Sequence, residues 1–553
     1  MDKKYIISFK SGSSTVVTNE TENDFFSLDI VDNESRFSVV LKPKKPFELV
    51  DFYVEFPYEF KKGDCFFAGG YQSWTTTREY KADEIQKGIT KLAGITKLTK
   101  DLARLASDER IVKYTQKPGE FHSHCYTYIK NGGRVKFWGS LSEKTGFTYF
   151  KVRMNENYFS IHKDALGKIV EEPWQVFDIV YYEGGYDEVF DKYFSLTPMP
   201  EARNRCMSGY TSWYNYFQKI DEGIILRDLN GLDRAKDEVS IFQIDDGYES
   251  FVGDWLVPDP KKFPHGMKYI ADKIHDKGYN AGIWLAPFSC QRASQTAKLH
   301  PDWLIKENGK PMLGCLGWGG AYTLDIYNPE AREYIKKFFD VVLNEWGYDM
   351  VKLDFLYSEC MIPRAGKCRG EIMHDAMLLL RECVGDKLIL GCGVPMGSAL
   401  GIVDACRISC DVDLDYCGKI YNKVNVSNEV PSAQNAITNS VFRRHLNGRA
   451  FMNDPDVFFL RNDNLKFNDE QKVLLAEINN LCGNVLFVSD NAGAYDETQT
   501  ERLKKYLRKT DKKIVDAEYL DRDVIKIKTE QGGETCNFVF NIKKGIIMND
   551  NIK

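Results

Sequence analysis

A lysine and an aspartate stand two residues apart, Lys352 and Asp354, near the end of residues 348–355 (YDMVKLDF). This segment follows an amphipathic helical stretch and runs into a short polar loop, so it reads as a buried strand. Side chains alternate along a strand, which puts Met350, Lys352 and Asp354 on one face and Val351, Leu353 and Phe355 on the other. A cation and an anion on the inner face of a strand are costly as core design. They suit a reactive site, and in a (β/α)8 barrel the C-terminal strand ends are where such groups collect.

Other apolar runs end in the same way. Asp245 and Asp246 follow FQI, Trp284 lies in GIWLAPF, and Cys392 sits between glycines after LIL. Arg407 and Asp411 follow AC, and Asp454 and Asp456 follow FMN. One acidic strand end often does no more than cap the next helix, but this many polar ends on one rim form a constellation. Carboxylates accept hydrogen bonds from hydroxyls, Lys and Arg donate them, and Trp offers a flat apolar face to the C–H side of a pyranose. The residues therefore suggest a sugar pocket. Hydrolysis of a glycoside needs two carboxyl groups, about 5–5.5 Å apart when the anomeric configuration is retained.

Two features outside this rim could also bear chemistry. Residues 68–75 (AGGYQSWT) form either ordinary core or a loop that carries Trp74 toward a neighbouring domain. His122-Ser123-His124 has the strand spacing that puts two imidazoles on one face, but with no third ligand nearby no metal site is expected.

The elements that must position the rim come in order. Up to about residue 200 the chain carries short alternating stretches, such as 36–41, 121–129 and 174–181. They are separated by Pro118-Gly119, Asn131-Gly132-Gly133 and Glu183-Gly184-Gly185, the pattern of an antiparallel β-sandwich. Helix-length periodicity occurs only near 81–106. After LTPMP (196–200) strands and helices alternate. The strand candidates are 206–213, 239–245, 281–286, 350–354, 388–392, 406–411, 450–453 and 485–489. Eight βα units in about 300 residues match a barrel. Asn328 and Pro329 start one helix, whose stripe is Ile335, Phe338, Val342 and Trp346 and whose stop is Gly347. A second starts at Gly266, buries Met267, Ile270, Ala271 and Ile274, and stops at Gly278. Beyond residue 511 short β segments return. The expected domains are a β-sandwich (1–200), a (β/α)8 TIM barrel (201–510) and a small antiparallel β-domain (511–553).

At 553 residues, with 43% hydrophobic and 13% aromatic residues, the chain is large enough for several packed cores. A net charge of −6 argues against a nucleic-acid partner. No apolar run approaches the ~18 residues of a membrane span, and residues 1–11 lack the apolar core of a secretory signal. The 14 cysteines are scattered without CxxC pairs, so free buried thiols in a reducing cytoplasm are expected, Cys206, Cys392 and Cys410 among them.

The ordered set VKLDF, FQIDDGYE with GDW, GIWLAPF, HPDW, LGCG, RISCD and NAITNSVFRRHLNGRAFMNDPD resembles glycoside hydrolase family 36, and most of all its short prokaryotic α-galactosidases. The match spans roughly residues 200–500, and GGYQSW in the front domain agrees with it. The resemblance implies a β-supersandwich, a catalytic barrel and a C-terminal β-domain, no cofactor, and a retaining mechanism. It makes Asp354 the nucleophile that forms a β-galactosyl-enzyme and Asp411 the acid/base. It assigns Asp245 and Asp246 to the 4- and 6-hydroxyls, Lys352 to the 3- and 4-hydroxyls, and Arg407 and Cys392 to the 2-position. Trp284 becomes the pocket wall, with Trp74 reaching over from the front domain and Trp213 as a further rim residue. Lys352 is expected to lower the pKa of Asp354 and keep it an anion.

The longer members carry a CSxGGGR-type stretch after strand five, where this chain reads GCGVPMGSALG (391–401). That departure leaves an α-galactoside and an α-N-acetylgalactosaminide both open as substrate. Three other readings are a Schiff-base enzyme acting through Lys352, a metal-dependent barrel hydrolase, and a non-catalytic sugar-binding protein. The eight dispersed histidines argue against the second, and the two intact aspartates against the third. A homo-oligomer remains open.

Overall fold

A computed structural model describes residues 3–88, 108–199, 206–417 and 431–548. The chain divides into two compact units, the first built from Met1–Pro198 with Glu359–Leu379 and Pro395–Ile402, the second from the remainder.

The first unit is a sandwich of two antiparallel seven-stranded sheets. In Arg36–Pro43, Phe37, Val39 and Leu41 point inward while their neighbours face out, the period of two that a half-buried strand requires. The two sheets share one core, where Phe52 meets Phe177 edge-on at 5.7 Å. The expected single strand at 121–129 is two strands, Glu120–His124 and Tyr126–Asn131, and they belong to different sheets. The chain turns the corner at Cys125, whose φ of 65° is left-handed. Asn131-Gly132-Gly133 makes the expected hairpin. Glu183-Gly184-Gly185 does not turn: it finishes the long strand Trp174–Gly185, pairs with Arg134–Lys136, and leads into the helix Tyr186–Phe194. Most of the periodic stretch expected near 81–106 lies outside the described residues.

The second unit is built on a wholly parallel sheet. All eight expected strands are present, as Met207–Thr211, Ile241–Ile244, Asn280–Leu285, Met350–Leu353, Leu388–Gly391, Ala405–Arg407, Met452–Asp454 with Val457–Phe458, and Val485–Val488. The seventh is interrupted. Met452–Asp454 pairs with the sixth strand and Val457–Phe458 with the eighth, so the two edges of this curled sheet are joined through Pro455 and Asp456. Proline cannot donate to a ladder, and Asp456 takes a φ of 80°, which accounts for the break. This arrangement fits a TIM-type barrel. The first strand ends at Thr211, short of expectation, and Trp213 opens a single helical turn, Trp213–Tyr216.

The helix Pro329–Asp340 starts as expected, with the Asn328 side chain accepting from the N–H groups of Glu330 and Ala331. Its stripe runs on through a π-helical turn, Val341–Glu345, and the chain then reverses at Gly347 (φ 84°). The helix Gly266–Asp276 buries Met267, Ile270, Ala271 and Ile274 as expected. Four antiparallel strands from Lys513 to Met548 end the described chain. All cysteines are free; Cys392 and Cys410 are buried, whereas Cys206 precedes the first strand and is exposed. No described helix is long and apolar enough to cross a membrane.

Candidate active site

The parallel sheet brings the expected polar residues to one end. Asp354 directly follows the fourth strand, and its main-chain N–H is held by Leu285 O at 2.9 Å. One carboxylate oxygen accepts from Trp284 Nε1 at 3.2 Å and the other from the Phe355 N–H at 2.8 Å. Phe355 adopts a φ of 56°, a strained conformation for a bulky residue that marks the turn holding this carboxylate.

The expected charge relation between Lys352 and Asp354 is corrected. The Lys352 ammonium bonds to Asp245 Oδ2 at 2.8 Å, both groups being buried. Burial works against the Lys352 charge, but Asp245 overrides it and raises the ammonium's pKa. For Asp354, burial is the largest influence and raises the pKa above the usual carboxylate range. Lys352, Trp284 and Cys392 pull it down without reversing that outcome, and the nearby Asp411 adds to the rise. Low dielectric wins because the lysine's charge is already spent on Asp245.

Asp245 and Asp246 are adjacent but differently held. Asp245 Oδ2 also accepts from Gln243 Nε2 at 2.8 Å, and its own N–H reaches Ser212 Oγ at 2.9 Å. Asp246 accepts from Gln218 Nε2 at 3.0 Å and from Trp318 Nε1 at 2.8 Å. Burial raises the pKa of Asp246. Glu249 beside it is raised well above the usual carboxylate range, first by burial and then by the charge of Asp246. Trp318, Gln218 and Glu249 were not foreseen. Glu249 is legible in the FQIDDGYE motif, but Trp318 sits in a loop, LGWGGAY, with no strand register to announce it. Its ring packs 5.9 Å from Trp284 and 5.0 Å from Phe355, which extends the aromatic wall.

Arg407 is buried among three carboxylates: Asp411 at 2.9 Å, Asp454 at 3.2 Å and Asp456 at 2.8 Å. Its charge is therefore not available to Asp411 alone. Asp456 also accepts from the Tyr214 hydroxyl and from the Val412 N–H at 2.9 Å. Burial, only partly offset by Arg407, pushes its pKa up to about 7. Asp411 is 41% exposed, the open member of the group. Cys392 is buried, its thiol pushed well above the ordinary value by desolvation, and it donates toward Asp354.

Of the two remaining expected rim residues, one follows the first strand and the other belongs to the sandwich unit. The Trp213 ring packs edge-on against Phe217 at 5.1 Å. Trp74 is half-buried in the loop that follows Gly69-Gly70 in the sandwich unit. One expectation in that unit is corrected: a third potential ligand does stand beside His122 and His124, namely Asp108.

Comparison with known proteins points to α-galactosidases and their relatives. The Melibiase family model matches residues 219–386. Alpha-galactosidase 1 of Pediococcus pentosaceus is 30% identical over 165 residues, covering 27% of this chain and 22% of its own length. The A type blood alpha-D-galactosamine galactosaminidase of Flavonifractor plautii is 28% identical over 242 residues, covering 39% and 22%. The chain thus spans about a fifth of the length of these curated relatives. In fold it is similar to the α-galactosidase TtGalA of Thermus thermophilus, solved with p-nitrophenyl alpha-D-galactopyranoside. The TM-score is 0.71 at 24% identity, over 96% of this chain and 98% of that one. Residues 219–386 thus match the Melibiase model, and in fold the chain resembles the family 36 α-galactosidases.

Proposed function

We propose that this protein is a retaining exo-glycoside hydrolase that removes terminal α-linked galactose by double displacement. The observation that carries this reading is Asp354: a half-buried carboxylate at a parallel strand end, fixed by three donors, with a second and more open carboxylate, Asp411, close enough to influence it. Asp354 attacks the anomeric carbon and forms a β-galactosyl-enzyme. Asp411, open to the leaving group and to water, protonates the departing oxygen and then deprotonates the incoming water. Asp411 shares Arg407 with Asp454 and Asp456. Asp245, Asp246 and Lys352 take the hydroxyls, Trp284 and Trp318 the apolar face, and Arg407 and Cys392 the 2-position, with Trp74 and Trp213 as outer contributors. The reading includes a complete (β/α)8 TIM barrel at 201–510, a β-supersandwich at 1–200, a β-domain at 511–553, and a cytoplasmic location that suits free thiols.

A second substrate, α-N-acetylgalactosaminide or a related galactosaminide, is favoured by the Flavonifractor relative, whose match covers more of this chain than the Pediococcus one. Initial rates on p-nitrophenyl α-galactoside and p-nitrophenyl α-N-acetylgalactosaminide, with Asp354→Ala as control, decide between them. Faster release from the galactoside supports the main reading, and the reverse preference moves the substrate while keeping the mechanism. Equal rates in the wild type and Asp354→Ala would refute the nucleophile. Asp411→Ala separates the second role: the first step should survive on aryl glycosides with good leaving groups and fail on oligosaccharides. Equal losses on both would remove the acid function from Asp411.

A further inference from the structure

Asp108, His122 and His124 converge inside the sandwich unit, and the reading above gives none of them a role. His122 and His124 lie two positions apart on the edge strand Glu120–His124, so their rings share one face. Asp108 opens the short turn Asp108–Arg110. All three are buried, Asp108 completely. His122 Nε2 is 3.2 Å and His124 Nε2 is 3.5 Å from the same atom, Asp108 Oδ2.

We propose that these three side chains bind a divalent first-row transition-metal ion, with zinc the expected occupant, as a structural tie. Donors around a tetrahedral ion with bonds of about 2.0–2.1 Å stand about 3.3 Å from one another. The two separations bracket that value, and all three ligand atoms lie within 4.8 Å of one another, close enough for one ion to gather them. The polar accounting also asks for one. Neither ring nitrogen of His124 has a hydrogen-bond partner, although the residue is only 5% exposed. A buried imidazole left this way is uncommon, and a bound cation satisfies it.

The ligands are held in place by their backbones. Gln86 accepts from the His122 N–H at 2.8 Å and donates to His122 O at 3.1 Å. The His124 N–H is fixed by Gly69 O at 2.9 Å. The free oxygen of Asp108, Oδ1, accepts from the Tyr71 N–H at 2.9 Å, the outer bond that orients a ligating carboxylate. The ion would thus join the edge strand to the segment carrying Gly69 and Tyr71. Two imidazoles and one carboxylate select zinc or its neighbours over calcium and magnesium, which take oxygen donors. His122 also lines a cleft of about 360 Å³, with Tyr114 and Tyr149 on its walls, so one of the three ligands borders open space. The lack of an acceptor at His124 Nδ1 sets the affinity about 10–100-fold below that of a site with a full outer shell.

The test uses the whole protein, stripped with a chelator and dialysed against zinc, with bound metal counted by atomic emission and stability read by thermal unfolding. One equivalent is expected, together with a rise in Tm on reloading. Asp108→Asn, close to isosteric and the variant least prone to misfold, should weaken binding at least 10-fold, and His124→Ala should abolish it. Cobalt in place of zinc should give tetrahedral absorption bands without a thiolate charge-transfer band. Absence of binding to the folded wild type would overturn the site. So would stoichiometric binding that survives in both variants or shows the thiolate band, since the ion would then sit on cysteines such as the exposed Cys206 and Cys536.

Discussion

The two units bury charge in opposite ways. In the sandwich, Arg369 is matched to Asp164 through two bonds of 2.6 and 2.7 Å and donates a third to Arg110 O. Lys163, fully buried, gives its ammonium to Ser142 O, Ser142 Oγ, Gly146 O and Thr148 Oγ1. Each of these two cations has its own acceptors. The rim of the parallel sheet instead gathers seven carboxyl groups, Asp245, Asp246, Glu249, Asp354, Asp411, Asp454 and Asp456, around two cations, Lys352 and Arg407. Burial there cannot be offset by pairing, so protons are retained on some of the acids. A matched charge makes structure; a surplus of carboxyls makes groups that exchange protons and hydrogen-bond hydroxyls.

This contrast can be broken by showing that pocket substitutions cost stability or that sandwich substitutions cost rate. The largest expected effect is Asp354→Ala, which should lower kcat/KM by about 10⁴-fold or more, roughly 5.5 kcal/mol of barrier. Its Tm should not fall, since a carboxyl whose charged form is disfavoured there is removed; unfolding curves beside initial rates check both halves. Arg369→Ala should do the reverse. It leaves Asp164 buried and unpaired, at a cost of about 3–5 kcal/mol of stability, with kcat/KM of the folded fraction unchanged. Asp456→Asn should lower kcat/KM about 10–100-fold, or about 1.4–2.7 kcal/mol, by loosening Arg407 and the strand end before Asp411.

That variant also sharpens the comparison by pH. The carboxyl of Asp456 has a folded pKa near 7, above the unfolded value of about 3.9. The folded state therefore binds this proton more tightly, and the group's contribution to stability falls as pH rises between those two values. Tm measured from pH 4 to 8 should lose part of that downward slope in Asp456→Asn. The same sign holds for catalysis at Asp354: its raised pKa moves the acid limb of kcat/KM to higher pH than an ordinary aspartate would give. The smallest effect is expected from Lys268→Ala, which removes an exposed helix pair with Asp272 and should change stability by less than about 0.5 kcal/mol.

Much of this was legible in the chain because period and punctuation agree. The parallel strands are continuous apolar runs ending in charge, and the two helices announced themselves through Asn328-Pro329, Gly278 and Gly347. What escaped depends on geometry between distant residues. The corner at Cys125 looks in sequence like one strand, because apolar alternation does not record a change of sheet. The partner of Lys352 was misjudged because Asp354 is nearer in sequence while Asp245, on a strand two places away, is nearer in space. Trp318 lies in a loop, where no periodicity assigns direction. Asp108 is fourteen residues before His122, and nothing in its own neighbourhood marks it as a ligand.

The interrupted seventh strand has a consequence for how activity is acquired. Pro455 and Asp456 join the two edges of the parallel sheet, and Asp456 reaches Tyr214, 242 positions earlier in the chain. Contacts of such sequence separation form late, because their loop entropy must be met before they contribute. The group that fixes Arg407, and through it Asp411, thus depends on one of the sheet's long-range associations. In refolding, helical circular dichroism should recover before turnover, and a chain with its edges unjoined should carry near-native secondary structure and no catalytic competence. Enzyme activity then serves as a reporter of edge closure, more selective than any measure of helix or strand content.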